Sequence, residues 1–166
     1  SLDYSDLSRD AWYHQCVDYA LENDLMAGMG GGIFSPNGTL TRAEAVTVLW
    51  KLENRPQVSY QLNFDDVAEG QWFTEMVRWA VSKKIVAGNG DGTFGPNDPV
   101  NREQLAVMLY QYAWNMGYDL TGGGMALREF ADYEAISPYA LEALDWAVNA
   151  GIISGTGDSA LSPQGR

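Results

Sequence analysis

Apolar residues recur at spacings of three and four in four stretches of the chain. Trp12, Cys16, Val17, Ala20 and Leu21 form one stripe, and Trp72, Met76, Val77, Ala80 and Val81 form a second with the same spacing. Ala45, Val46, Val48, Leu49 and Leu52 make a third, and Leu105, Ala106, Met108, Leu109 and Tyr112 a fourth. This period predicts helices that each turn an apolar face to a common core. The third and fourth stripes open on Thr41 with Glu44 and on Asn101 with Gln104, the reciprocal signature of a helix start. Glycine-rich stretches at 28–32 and 88–92 supply the backbone freedom for tight turns between paired helices. Ser137 and Pro138 announce another helix, with a cap residue followed by proline at the first helical position. Tyr139 there takes the place of the leading Trp.

The stripes belong to a larger repetition, which decides the architecture before any single motif does. Residues 4–44 and 64–104 are one unit written twice at an offset of 60. Tyr4, Asp6 and Leu7 answer to Phe64, Asp66 and Val67; Ala27 and Gly28 to Ala87 and Gly88; Phe34 and Pro36 to Phe94 and Pro96; Arg42 to Arg102. A third copy keeps Phe130, Asp132, Trp146, Gly155, Leu161 and Pro163, with one extra residue in the loop before Trp146. It stops at Arg166, three residues before the position of the next repeated Arg. We therefore expect an all-α, pseudo-threefold helical bundle of helix-loop-helix repeats, one domain over 1–166. Repeat one spans 1–55, repeat two 60–116 and repeat three 128–166, the last lacking its second helix. Units this short are marginal alone and are expected to share a core. The joins at 54–63 and 115–129, the second containing Thr121 and three glycines, read as flexible.

The Phe-x-Asp-Val start, the Trp-led helix, the Gly-x-x-x-Gly-x-Phe-x-Pro loop and the Thr-Arg-Ala-Glu helix start, in tandem, resemble the S-layer homology family. The resemblance covers nearly the whole chain. It implies a non-enzymatic module that holds secreted proteins on the Gram-positive cell surface, in the cell wall or S-layer. The implied partner is a secondary cell-wall polysaccharide linked to peptidoglycan, often carrying a pyruvylated sugar. The resemblance also implies that the repeated Arg and the loop glycines, Arg42, Arg102, Gly28 and Gly88, line grooves between neighbouring repeats and meet the acidic sugar. Thr41 and Asn101 accompany the two arginines. The flanks of Arg102 differ from those of Arg42, which weakens the carry-over to that groove.

Charge narrows the partners independently. With 22 acidic against 10 basic residues the net charge is −12, which argues against nucleic acid and anionic membrane, both held by clustered Lys and Arg. An anionic ligand must then be caught by a few placed groups against the overall field. No run is long enough to cross a membrane and no signal peptide is present; the chain reads as a domain cut from a longer protein. Cys16, the single cysteine, excludes an internal disulfide and is expected in the core.

An Arg directly after a helix cap makes a compact anion site if the first N–H groups of the helix are free. The competing reading pairs each Arg with an acid such as Asp6 or Asp66, and the residues alone leave the two open. Asp6, Asp66 and Asp132 precede the first helices, where turn and cap hydrogen bonds are the first reading and a sugar hydroxyl the second. Trp12 and Trp72 lead apolar stripes and are expected to pack, with one edge open to a sugar ring. Trp50, Trp79, Trp114 and Trp146 are assigned to packing. No metal or cofactor is expected: aligning Gly92 with the obligatory glycine of a calcium loop puts Ala87 at the first ligand position. Nor is catalysis, since His14 and Cys16 sit two apart on a helix and no carboxylate pair stands out. The remaining alternatives are a protein–protein scaffold or self-assembly module, and a hydrolase accessory region. Stopping at Arg166 is expected to leave Leu144, Ala147 and Val148 bare, to be covered by a retained C-terminal segment, a partner chain or a dimer.

Overall fold

The structure, a computed structural model, describes residues 3–121 and 127–166. Among these lie five α-helices and no strand: α1 (His14–Glu22), α2 (Arg42–Leu52), α3 (Thr74–Ser82), α4 (Arg102–Met116) and α5 (Leu141–Asn149). Short 3-10 turns at Leu127–Glu129, Tyr133–Ala135 and Pro138–Ala140 lead into α5. Of the flexible join expected at 115–129, residues 115–116 continue α4 and 127–129 form the first 3-10 turn, while 122–126 lie outside the described residues.

Both reciprocal caps form. Thr41 Oγ1 accepts from the Glu44 amide while the Thr41 amide donates to Glu44 Oε2, and Asn101 with Gln104 repeats the exchange. Each cap satisfies a donor at the helix start that would otherwise be orphaned. Helix α4 ends where Gly117 adopts the left-handed conformation at φ 75°, which glycine reaches without a Cβ clash.

Helix α2 lies against α3, and α4 against α5. Val46, Leu49, Val77, Trp79 and Phe94 centre one core; Leu144, Ala147 and Leu161 centre another. Helix α4 serves both, with Met108 in the first core and Ala106 in the second. It is therefore apolar on two sides rather than on one broad face. Helix α1 stands outside both pairs.

That pairing overturns several expectations. Cys16 is exposed, because α1 is not closely paired with another helix among the described residues. Leu144 and Ala147, expected bare, are completely buried, because α4 supplies the cover. Trp12 and Trp72 do not pack in the core: they are 90% and 57% exposed. Both precede their helices by two residues, in the entering turn, and the following ring takes the inward place. Phe73 is buried with Trp72 set edge-on at 5.2 Å between centroids. Trp114 is also exposed, in the last turn of α4. Trp50 and Trp79 are buried, and Trp146 packs edge-on against Tyr110.

Ser137 does not cap a helix through its side chain. Its amide and hydroxyl both donate to Glu103, a carboxylate only 1% exposed at the start of α4. The Tyr139 hydroxyl and Gln164 Nε2 donate to Glu103 Oε1 as well, at 3.0 and 2.7 Å. The equivalent position in repeat one is Ala43, so sequence alignment alone gave no sign of this junction. Burial raises the Glu103 pKa, but the four donors outweigh it and hold the carboxyl below its ordinary value of 4.5. A depressed folded pKa contributes stability above the unfolded value, and that stability is lost as pH falls through the folded one. Glu103→Gln is expected to cost about 2 kcal/mol at neutral pH by leaving donors unmatched. It should also flatten the loss of stability below pH 4.5, read from urea midpoints across an acid series.

Candidate functional site in the inter-repeat grooves

Each repeat closes its glycine loop with the aspartate that opens the unit. Asp6 accepts from the Phe34 and Ser35 amides, Asp66 from Phe94 and Gly95, and Asp132 from Leu161 and Ser162, all between 2.6 and 2.9 Å. These amide donors hold the Asp6 and Asp132 carboxyls below the usual range. The oxygens are thereby committed to the loop. Gly28 and Gly88 are required for a different reason than turn freedom: a Cβ would stand 2.2 Å from the Tyr4 ring and 2.3 Å from the Phe64 ring. The aromatic residue that opens each unit closely approaches the loop at that point.

The loop so closed presents four carbonyls to the second helix of the preceding repeat. Arg42 Nε donates to Phe94 O at 2.9 Å and Nη2 to Ala87 O at 2.8 Å, while the guanidinium lies 4.6 Å from the Phe94 centroid. The Arg42 and Ala43 amides donate to Asp98 O and Pro96 O. One repeat later the pattern recurs: Arg102 Nε reaches Leu161 O and Nη2 Ser154 O, and the Arg102 and Glu103 amides reach Gly165 O and Pro163 O. The helix starts are therefore not free anion sites. Their first N–H groups are used in joining repeats, and Thr41 and Asn101 are used in the caps. Nor does either Arg form an ion pair with the acids proposed for it; the partners are carbonyls. Burial draws the Arg42 guanidinium below its ordinary pKa, opposed by the fields of Asp98 and Asp66. Arg42 Nη1 has no hydrogen-bond partner among the described residues and remains available.

Two pseudo-equivalent grooves flank these joins. The α2 groove, about 720 Å3, runs from the loop at Gly28 past Glu44, Thr47 and Lys51 to Trp72. The α4 groove, about 750 Å3, runs from Gly88 past Gln104, Val107 and Gln111 to Tyr139 and includes Arg42 and Lys84. Glu44 thus corresponds to Gln104, Lys51 to Gln111 and Trp72 to Tyr139. The charges differ. In the α2 groove Lys51 is 3.6 Å from Asp24, which also pairs with Arg55. At the position of Asp24 repeat two has Lys84, which forms no ion pair among the described residues. No carboxylate lines the α4 groove. Beside it, burial and Glu103 push the Tyr139 hydroxyl up to about 12, so the ring stays neutral. Lys84, Gln104, Gln111 and Tyr139 were not expected from sequence to line a groove; the charge reversal from Asp24 to Lys84 was the signal available. Trp12 and Arg102 line neither groove.

Among the described residues no group of three acidic, His or Cys side chains converges on a metal-sized site. Asp91 closes its own turn onto Thr93, and His14 meets Asp18 rather than Cys16.

Tandem helical units clasped loop to helix define a repeat module whose grooves lie between its units. Residues 3–46, 63–106 and 129–166 match the S-layer homology domain, and the chain belongs to that family. It is similar to the S-layer protein sap of Bacillus anthracis, 30% identical over 93% of this chain and 18% of that protein. It is also similar to an amylopullulanase of Thermoanaerobacterium thermosulfurigenes (26% identical; 95% of this chain, 8% of that protein). A cellulosome-anchoring protein of Acetivibrio thermocellus is 27% identical (84% of this chain, 32% of that protein). The chain spans under a third of each of these relatives. It consists of S-layer homology repeats, the module that anchors proteins to the cell surface.

Arg42→Lys keeps the charge but cannot span Phe94 O and Ala87 O together. We expect it to cost about 2 kcal/mol of stability, seen as a lower urea midpoint. Gly88→Ala, which drives a methyl into Phe64, should cost about 1–3 kcal/mol in the same measurement.

Proposed function

We propose that this chain anchors its parent protein to the Gram-positive cell envelope by binding an anionic, pyruvylated wall polysaccharide in the α4 groove. The module acts by binding rather than by catalysis. One observation carries the reading: a chain of net charge −12 has a groove lined by two cations and no carboxylate. In that groove Arg42 Nη1 and Lys84 oppose the sugar carboxylate, Gln104 and Gln111 offer hydroxyl partners, and the exposed Tyr139 ring gives a sugar face something to lie on. The α2 groove, with Glu44 and the Lys51–Asp24 pair, suits a neutral stretch of the same chain better than its anionic unit. Roles for Thr41, Asn101, Asp6, Asp66, Trp12 and Arg102 in sugar contact receive no support from their positions.

The test is co-sedimentation with native wall sacculi, before and after chemical removal of the secondary polymer. Binding that disappears with the polymer is expected; binding that persists, or self-association in its place, would move the reading to a scaffold. Lys84 separates affinity from stability. It holds the left-handed conformation at φ 58°, which costs a non-glycine residue about 1 kcal/mol. Lys84→Gly should therefore leave stability equal or raised by up to about 1 kcal/mol. The same substitution should weaken sacculus binding by about tenfold, the loss of one charge-assisted contact.

A further inference from the structure

The two grooves hold their aromatic wall in different ways. In the α2 groove Trp72 is set edge-on against Phe73, the buried ring that follows it. In the α4 groove the residue after Tyr139 is Ala140, which is buried but has no ring to offer. Tyr139 is 60% exposed, and without that support its side-chain bonds would be free to turn between rotamers. A polar anchor takes the place of the ring: the Tyr139 hydroxyl donates to Glu103 Oε1 at 3.0 Å. The first join has Ala43 where the second has Glu103. Phe73 and Ala43 at one groove therefore correspond to Ala140 and Glu103 at the other. Glu103 is itself held fast. Its amide donates to Pro163 O, and its carboxylate also accepts from the Ser137 amide, the Ser137 hydroxyl and Gln164 Nε2. Gln164 in turn accepts from Asn101 Nδ2 at 2.8 Å. An ionised acceptor fixed on every side gives the tyrosine a strong bond in one direction.

We infer that Glu103 is a positioning residue for carbohydrate binding, which locks the Tyr139 ring in the orientation it presents to the α4 groove. Glu103 is 1% exposed and does not line that groove, so it acts through the tyrosine and not on the sugar. The role rests on the polysaccharide reading above and adds to it how the aromatic platform is oriented. A sugar that meets a ring already set in place does not have to immobilise it, which is worth about two- to tenfold in affinity for one side chain. The supporting shell, more than the ring alone, then decides how well the platform serves.

Two readouts separate positioning from stability. In polymer-free protein carrying 13C-labelled tyrosine, the ring signal that Tyr139→Phe abolishes should report a rigid ring in the wild type and a mobile one in Glu103→Ala. In co-sedimentation with wall sacculi, under conditions where every variant is folded by circular dichroism, Tyr139→Phe and Glu103→Ala should each weaken binding about two- to tenfold. Tyr139→Phe keeps the ring and leaves Glu103 its other three donors, so it retains the fold even where Glu103→Ala does not. The double variant should bind no worse than the weaker single one, because both substitutions remove the same bond. Ser137→Ala removes a different donor from the same carboxylate, and should lower stability while leaving binding unchanged. Wild-type affinity in Tyr139→Phe, an equally rigid ring in Glu103→Ala, or losses that add in the double variant would overturn the positioning role. Weakened binding by Tyr139→Phe beside unweakened binding by Glu103→Ala would overturn it too, by placing the hydroxyl on the sugar. A wild type that does not bind sacculi at all would sink the polysaccharide reading, and this role with it, even with a rigid ring.

Discussion

The fold depends on one join made twice: an arginine-led helix start seated on the carbonyls of the next repeat's loop. Four N–H donors at each join meet four carbonyls, so the orphan groups of a helix N-terminus and of a tight loop satisfy one another. This fixes which helix lies against which. Helix α2 is carried to α3 and α4 to α5, so each core forms between repeats and not within one. Stability is then shared across boundaries, as expected of units too small to bury a core alone.

The proposed binding groove is built on the same join. Two guanidine nitrogens of Arg42 hold the loop while the same side chain lines the α4 groove, so one residue supports the architecture and supplies positive potential there. Asp98 and Asp66 already act on Arg42 from the loop side, so a further carboxylate inside the groove would weaken that potential. The replacement of Glu44 by Gln104 and of Asp24 by Lys84, between otherwise matching grooves, keeps it. Matching grooves thus carry different charge, a difference that rests on the pairs Glu44/Gln104, Asp24/Lys84 and Lys51/Gln111.

The buried Glu103 marks where strict repetition ends. The first join has Ala43 in this place; the second adds a carboxylate that gathers donors from Ser137, Tyr139 and Gln164. Those donors tie the 3-10 turn before α5 and the last loop to the start of α4. A charge so buried is tolerable because its hydrogen-bonding capacity is met. It also fixes the tyrosine hydroxyl at the rim of the α4 groove.

Much was legible in the chain because it depends on local spacing. The 3.6-residue stripes, the Thr41–Glu44 and Asn101–Gln104 caps, and the 60-residue offset fix helices, their starts and the repeat architecture without reference to distant residues. Partner choice was not local. Trp12 and Trp72 matched a helical stripe in spacing, yet both lie in the turn before the helix, where Phe73 takes the inward direction from Trp72. Cys16 and Leu144 read equally apolar, yet the pairing of α4 with α5 buries Leu144 while α1 leaves Cys16 in water. Sequence by itself determined what each segment could form and which residues carried charge. Tertiary structure decided which carbonyls the arginines met, which helix faces were covered and which groove kept its cations unpaired, because those outcomes turn on groups brought together from different repeats.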